Sequence, residues 1–256
     1  PAGMTAAIYA IRYKLDNIVL TKTPGGTATE AHLVENYPGF PSLSGMELMM
    51  KFKEHVEALD GTIINKEVKR IQKQEDHFSV EANSECYETK SIIIAAGSTR
   101  RKLNVKGEEE FQGKGVSYCA TCDGFFFKGK TVCVIGGSDS AASAAALLSQ
   151  IAEKVYVVYR GDALRAEPYW LDMIEKEENV EIITKTTVSE IKGEHMVNSV
   201  VLHDGTELAV EGVFIEIGQV PPTEMAQELG ITTDEKGYIV VDSSQQTSIP
   251  GIFAAG

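Results

Sequence analysis

The chain has 256 residues, 43% of them apolar, with 24 basic and 37 acidic side chains and a formal net charge of −13. That length suits one large domain or two ordinary ones, and the apolar content allows a substantial core. The negative balance opposes binding to nucleic acid and to anionic membrane surfaces, which need a cationic field. No segment reaches the ~18 apolar residues that span a bilayer.

In chain order, residues 2–14 read as a helix and "NIVLT" (17–21) as a short buried strand. Residues 22–45, rich in Gly, Pro, Ser and Thr, read as a long ordered loop facing a ligand. Residues 46–59 form a helix whose stripe is Met49, Phe52, Val56 and Leu59. Residues 62–97 alternate as several short strands, the last of which, "SIIIAAG" (91–97), is expected to be fully buried. A charged, Gly-containing stretch follows, with a boundary near 101–107. Then come "SYCATCDGFF" (117–126), a strand (131–137), a helix (139–151) and a strand (154–160), one βαβ unit. A helix at 169–178 and a β-rich run from 180 to 217 complete that module. "GQVPPT" (218–223) is a second linker, and "GYIVVD" and "SIPGIFAAG" read as two more strands.

The expected fold is α/β with two Rossmann-like dinucleotide-binding domains, one inserted in the other. Segments 1–101 and 220–256 form the outer domain and 102–219 the insert. The first helix has no strand ahead of it and the chain stops at "IFAAG", so it reads as a piece of a longer protein.

"CVIGGSDSA" (133–141) places Gly136 and Gly137 at a strand-to-helix turn, followed by Ser138, Asp139, Ser140 and Ala141. A helix N-terminus there offers free N–H groups and a positive dipole end to a pyrophosphate. The alternative is an ordinary βα turn. Where the second strand ends, Arg160 and Arg165 either grip the 2′-phosphate of NADPH or are solvated surface cations. Gly3 fits the end of a second glycine fingerprint, and "IIIAAG" and "IFAAG" are strand-then-glycine edges. Two dinucleotide modules suggest a flavin paired with a nicotinamide.

Four cysteines in a chain of this length are no disulfide framework, and with no secretory signal seen the reading is cytoplasmic. Zinc needs four ligands, and neither Cys86, Cys133 nor the scattered histidines supply a second pair. A zinc-stabilised interaction module is therefore disfavoured, and no metal is expected. A redox couple at Cys119 and Cys122 remains, because a CxxC at a helix start has a depressed thiol pKa. Asp123 is either a general acid/base beside it or a helix N-cap. Cys86 reads as a strand-surface thiol and Cys133 as a core residue.

The ordered set "SYCATCDGFFFKGK", "VIGGSDSA", "VENYPGF", "IIIAAGSTRRKL", "VFIEIG" and "TSIPGIFAAG" resembles the low-molecular-weight thioredoxin reductases, most of all archaeal members. The resemblance implies a homodimeric thioredoxin-disulfide reductase whose FAD domain is split around an inserted NAD(P)H domain. FAD would be held by Gly3, Gly25, Gly26, Asn36, Ala96 and Gly97, and the cofactor set also takes in Gly218, which closes "VFIEIG". Cys122 would face the flavin, Cys119 would attack thioredoxin or a thioredoxin-like protein, and Asp123 would manage the proton. The insert would rotate on its two linkers between these tasks. Two departures stand out. Ser138 replaces the family's third glycine, and H-R-R-x-x-x-R reads Tyr159, Arg160, Gly161 and Arg165. One lost charge-assisted contact costs about 1.5–3 kcal/mol, which leaves the choice between NADPH and NADH open. The rival readings are a flavin-dependent dithiol oxidase, a peroxiredoxin reductase, and a non-catalytic nucleotide-binding protein.

Overall fold

The structure, a computed structural model, describes residues 1–256. The chain divides into two compact units. Unit 1 comprises Pro1–Thr99 and Val220–Gly256, and unit 2 comprises Arg100–Gln219.

Unit 1 opens with α1 (Ala2–Arg12), which stops where Lys14 takes a left-handed backbone. β1 (Ile18–Thr21) follows. A 3-10 turn (Gly26–Glu30) and the Val34–Leu43 bridge give shape to the long loop. α2 (Gly45–Ala58) begins at a capping box: the Glu47 N–H donates to Ser44 Oγ at 3.2 Å, and the Ser44 N–H donates to Glu47 Oε2 at 2.8 Å. Such a cap stabilises a helix by about 1 kcal/mol. Its buried face carries Leu48, Met49 and Val56 and packs with Met4 and Ala7 of α1. β2 (Thr62–Asn65) pairs in parallel with β1. β3 (Val68–Lys73), β4 (Phe78–Ala82) and β5 (Glu85–Thr89) form an antiparallel meander, and β6 (Ile92–Ile94) precedes β7 (Thr99–Arg100), where the chain leaves the unit.

Unit 2 contains β8 (Val116–Ser117), the short helix α3 (Ala120–Asp123), β9 (Thr131–Ile135), α4 (Asp139–Ser149), β10 (Lys154–Val158), α5 (Pro168–Ile174) and β11 (Val180–Ile183). β12 (Val188–Gly193), β13 (Val197–Leu202) and β14 (Glu207–Ala209) form an antiparallel sheet, and β15 (Gly212–Ile215) returns to the main one. The main sheet is parallel, in the order β11-β10-β9-β15-β8. Its central strands are continuous apolar runs because both faces are covered. On one face α4 packs Ala141, Ala142, Ala145 and Leu148 against Val132, Val134 and Phe214. On the other, Ile191, Val197, Val200 and Leu202 of the antiparallel sheet meet Cys133 and Ile135. Burying a side chain such as Leu148 or Phe214 stabilises by about 1.5–3 kcal/mol.

The chain returns to unit 1 through β16 (Gln219–Val220), then forms α6 (Glu224–Glu228) and β17 (Ile252–Ala254), which pairs in parallel with β6. Ile252 packs with Ile71, Phe78 and Val80 of the meander and with Ala226 of α6.

Three expectations need correction. "NIVLT" and "SIIIAAG" form strands, but neither is buried: Ile18 is 42% exposed and Ile93 49%. Each strand has a partner on one edge only, so its apolar run is not enclosed. "GYIVVD" is not a strand. The Asp234 carboxylate takes the N–H groups of Lys236 and Tyr238, so a side-chain turn opens the segment, and its pairing stops at the isolated Thr233–Ile239 bridge.

Candidate active site

β8 is the edge strand of the parallel sheet, with Ser117 paired opposite Phe214 of β15. It delivers the chain directly into the cysteine turn. Cys119 and Cys122 form a disulfide across a Cα–Cα distance of 5.3 Å. Cys119 is the N-cap of α3, and its Sγ accepts the Cys122 N–H at 3.1 Å. A helix start of this kind favours a thiolate once the bond is open. Cys119 is half-buried and Cys122 is exposed.

Asp123 ends α3, and its carboxylate makes no cap on the 3-10 turn that follows, so the N-cap alternative does not hold. Instead Asp123 Oδ2 accepts the Ser117 hydroxyl at 2.6 Å. Tyr118, on the other side of the strand end, donates its hydroxyl to Glu108 Oε1 at 2.6 Å. Glu108 is 1% exposed and also accepts the N–H groups of Leu103 at 2.8 Å and Asn104 at 2.5 Å. Burial, and then the neighbouring Glu108, raise the Tyr118 phenol well above its ordinary pKa. Ser117, Tyr118 and Glu108 were missed from sequence. Ser117 and Tyr118 stand in "SYC" beside the cysteines, a usable signal. Glu108 lies within "GEEEF" (107–111), which looks like any solvated acidic run.

Phe125 and Phe126 follow the disulfide directly and are each 74% exposed. Of the other cysteines, Cys86 is exposed on β5, where its Sγ lies 2.9 Å from Ser79 Oγ. Cys133 is fully buried in β9, and burial pushes its thiol up to about 12.

In the same unit, Gly136 and Gly137 follow β9 and Ser138 caps α4 without a side-chain hydrogen bond. Gly136 has φ 149°, and a Cβ there would sit 2.1 Å from the Glu216 carbonyl oxygen. One on Gly137 would sit 2.3 Å from the Tyr159 ring. The first-turn N–H groups of α4, at Asp139 and Ser140, have no acceptor within the helix, and Ala141 is buried beneath them. The Arg165 N–H donates to the Gly137 carbonyl at 2.6 Å, drawing segment 160–165 onto this turn, and the Arg165 guanidinium lies 5.9 Å from the Tyr159 ring centroid. Arg160 is exposed beside it. Asp139 Oδ1 is engaged by the Glu167 N–H at 2.7 Å. An open helix N-terminus with two arginines at the next strand end fits a phosphorylated dinucleotide.

In unit 1, Gly3 in the first turn of α1 lies against Ala95, a virtual Cβ approaching to 3.4 Å, and Gly256 lies beside Ala2. The N-terminus of α1 and the ends of β6 and β17 thus converge, with Ala96 and Gly97 exposed there. Gly97 (φ 73°) and Gly26 (φ 56°) would each aim a Cβ into open space, whereas Gly25 packs on Met49. Asn36 is exposed in the loop of Tyr37 and Phe40. Gly218 (φ 96°) follows the end of β15. The converging ends of α1, β6 and β17 leave the backbone bare, which fits a second dinucleotide.

A parallel sheet with a glycine turn at its C-terminal edge, carrying a cysteine pair in the turn that follows its edge strand, defines a nucleotide-dependent disulfide oxidoreductase. The profile of the pyridine nucleotide-disulphide oxidoreductase family matches residues 1–256, and the chain belongs to that family. It is 44% identical over 263 residues to the thioredoxin reductase of Listeria innocua, covering 100% of this chain and 82% of that protein. It is 41% identical to the thioredoxin reductase of Bacillus subtilis, covering 100% and 83%. Among solved structures, Lactococcus lactis thioredoxin reductase superposes with a TM-score of 0.95 at 40% identity, covering 99% of this chain and 86% of that one. The thioredoxin reductase of T. acidophilum gives 0.93 at 41% identity with the same coverage.

Proposed function

We propose that the chain is a flavin-dependent thioredoxin-disulfide reductase using NADPH or NADH. The observation that carries this reading is the Cys119–Cys122 disulfide, set at a helix start with Asp123 and the exposed Phe125 and Phe126 around it. FAD, when bound, supplies the two-electron exchange between the nicotinamide and this disulfide. Gly3, Gly25, Gly26, Asn36, Ala96 and Gly97 would hold it. The α4 turn, Gly136 to Ala141, would hold the nicotinamide nucleotide, with Arg160 and Arg165 toward the adenosine phosphate.

The chain's own residues then perform thiol exchange. Once the bond is open, the Cys119 thiolate attacks a disulfide of the partner, a mixed disulfide forms, and a partner thiolate leaves. Cys122 gives its proton to Asp123 and attacks Cys119 Sγ. The Cys119–Cys122 bond re-forms and the second partner thiolate departs. Two electrons have moved to the partner, which takes one proton from Asp123 and one from water. Phe125 and Phe126 offer the apolar anchors that a protein partner would cover.

The same reading makes the protein a cytoplasmic homodimer. Tyr13, 77% exposed beyond α1, is apolar surface that a second copy would cover. No helix is long and apolar enough to cross a membrane.

The test uses the full-length, flavin-loaded protein under anaerobic conditions. NADPH or NADH should bleach the flavin absorbance, and thioredoxin should restore it. Cys119→Ser and Cys122→Ser should each abolish thioredoxin reduction while sparing flavin reduction. Thioredoxin reduction retained by both variants would sink the proposal.

A further inference from the structure

The mechanism above needs the Asp123 carboxylate to stay on the cysteine turn, and its own helix does not hold it there. α3 spans only Ala120–Asp123, and the Asp123 side chain caps nothing. What touches it is Ser117. This residue is 6% exposed and sits on the edge strand, its backbone fixed by pairing with β15. Its hydroxyl has one proton and three neighbours. Oγ lies 2.6 Å from Asp123 Oδ2 and 3.3 Å from the Cys119 carbonyl oxygen, and it accepts the Cys119 N–H at 3.0 Å. The short contact to a charged acceptor takes the proton. The wiring therefore runs from the Cys119 amide to the Ser117 oxygen, and from the Ser117 hydroxyl to the carboxylate. A rigid strand thus fixes both the first cysteine and the proton carrier through one buried atom.

We propose that Ser117 is the positioning residue of the exchange reaction, holding the Asp123 carboxylate where it takes the Cys122 proton. This deepens the reading of the site as a disulfide reductase and rests on it. No bond is made or broken at Ser117. It acts through Asp123, so its removal slows exchange without weakening partner binding.

Thr and Val have the same shape and differ by the hydroxyl, so Ser117→Thr and Ser117→Val isolate the oxygen. Both are made in full-length enzyme, together with Ser117→Ala, Asp123→Asn and Ser117→Ala/Asp123→Asn. Two readouts are taken. One is kcat and KM for thioredoxin. The other is the rate at which dithiothreitol opens the Cys119–Cys122 bond and its oxidised form closes it, which needs no protein partner. Positioned general acid–base groups contribute roughly 10²–10⁴ in rate, so losing the position should slow both processes about tenfold. Ser117→Ala and Ser117→Val should show that loss with KM unchanged, and Ser117→Thr should recover most of it. Ser117→Ala should have no further effect in the Asp123→Asn background.

An equal effect of Ser117→Ala in both backgrounds, a change confined to KM, equal rates for the Thr and Val variants, or unfolding of every Ser117 variant would each overturn the proposal. If wild-type enzyme leaves thioredoxin oxidised while the dithiothreitol cycle behaves as stated, thioredoxin falls as the partner, whereas disulfide exchange at the site and the Ser117 assignment stand.

Discussion

In unit 2 the glycine after β9 is required by the protein itself: a methyl group on Gly136 would strike the Glu216 carbonyl oxygen of the neighbouring segment. In unit 1 the glycine after β6 meets nothing, because Gly97 would aim its methyl group into empty space. The sheets differ in the same way. β9 and β15 are buried along nearly their whole lengths, whereas β6 and β1 leave Ile93 and Ile18 in contact with water. Similar sequence signals thus serve internal packing in one unit and open surface in the other. Only the structure tells them apart.

Substitutions can break this contrast. Gly136→Ala meets both a backbone clash and an unfavourable φ, so unit 2 should lose about 3–5 kcal/mol, in the range reserved for severe lesions. Urea denaturation followed by the single tryptophan, Trp170 of α5, measures it. Glu108→Ala should follow, at about 2–4 kcal/mol, because two backbone N–H groups and the Tyr118 hydroxyl lose a buried charged acceptor. Gly97→Ala should cost only about 1–2 kcal/mol of backbone strain, while flavin content of the purified full-length enzyme falls. Equal stability losses for Gly136→Ala and Gly97→Ala would dissolve the contrast.

Two smaller effects sharpen it. Tyr118 has its folded pKa raised above the ordinary 10. The stability this contributes is present below that pH and is lost as pH climbs toward the folded value. The denaturation midpoint of wild type should therefore fall as pH rises from about 10 to 12, and that of Tyr118→Phe should fall less. Thiol labelling of the native oxidised protein should find Cys86 alone. Cys133 should react only on unfolding, and Cys119 and Cys122 only after reduction.

The βαβ core of unit 2 was legible because its apolar runs, its glycines and the alanine face of α4 all follow local periodicity. The cysteine turn was legible from spacing and from family resemblance. Burial of "NIVLT" and "SIIIAAG" was not legible, since it depends on which strands lie alongside. "GYIVVD" misled because its alternation is real while Asp234 captures the Tyr238 amide and pairing stops at the single Thr233–Ile239 bridge. Glu108 was invisible for a related reason. Of three consecutive acids it alone turns inward, whereas Glu109 remains in solvent on Lys102, and nothing local marks the difference.

The entry and exit of unit 2 are fastened to one another. Arg100, its first residue, reaches Glu216 at 3.0 Å, and the Arg101 N–H donates to the Gly218 carbonyl at 3.1 Å. A segment whose two ends are already side by side can be spliced into a host loop, or closed into a ring by a short peptide bridge, with little strain. This module has the geometry of a portable cassette, one that gene fusion can move without redesigning either border.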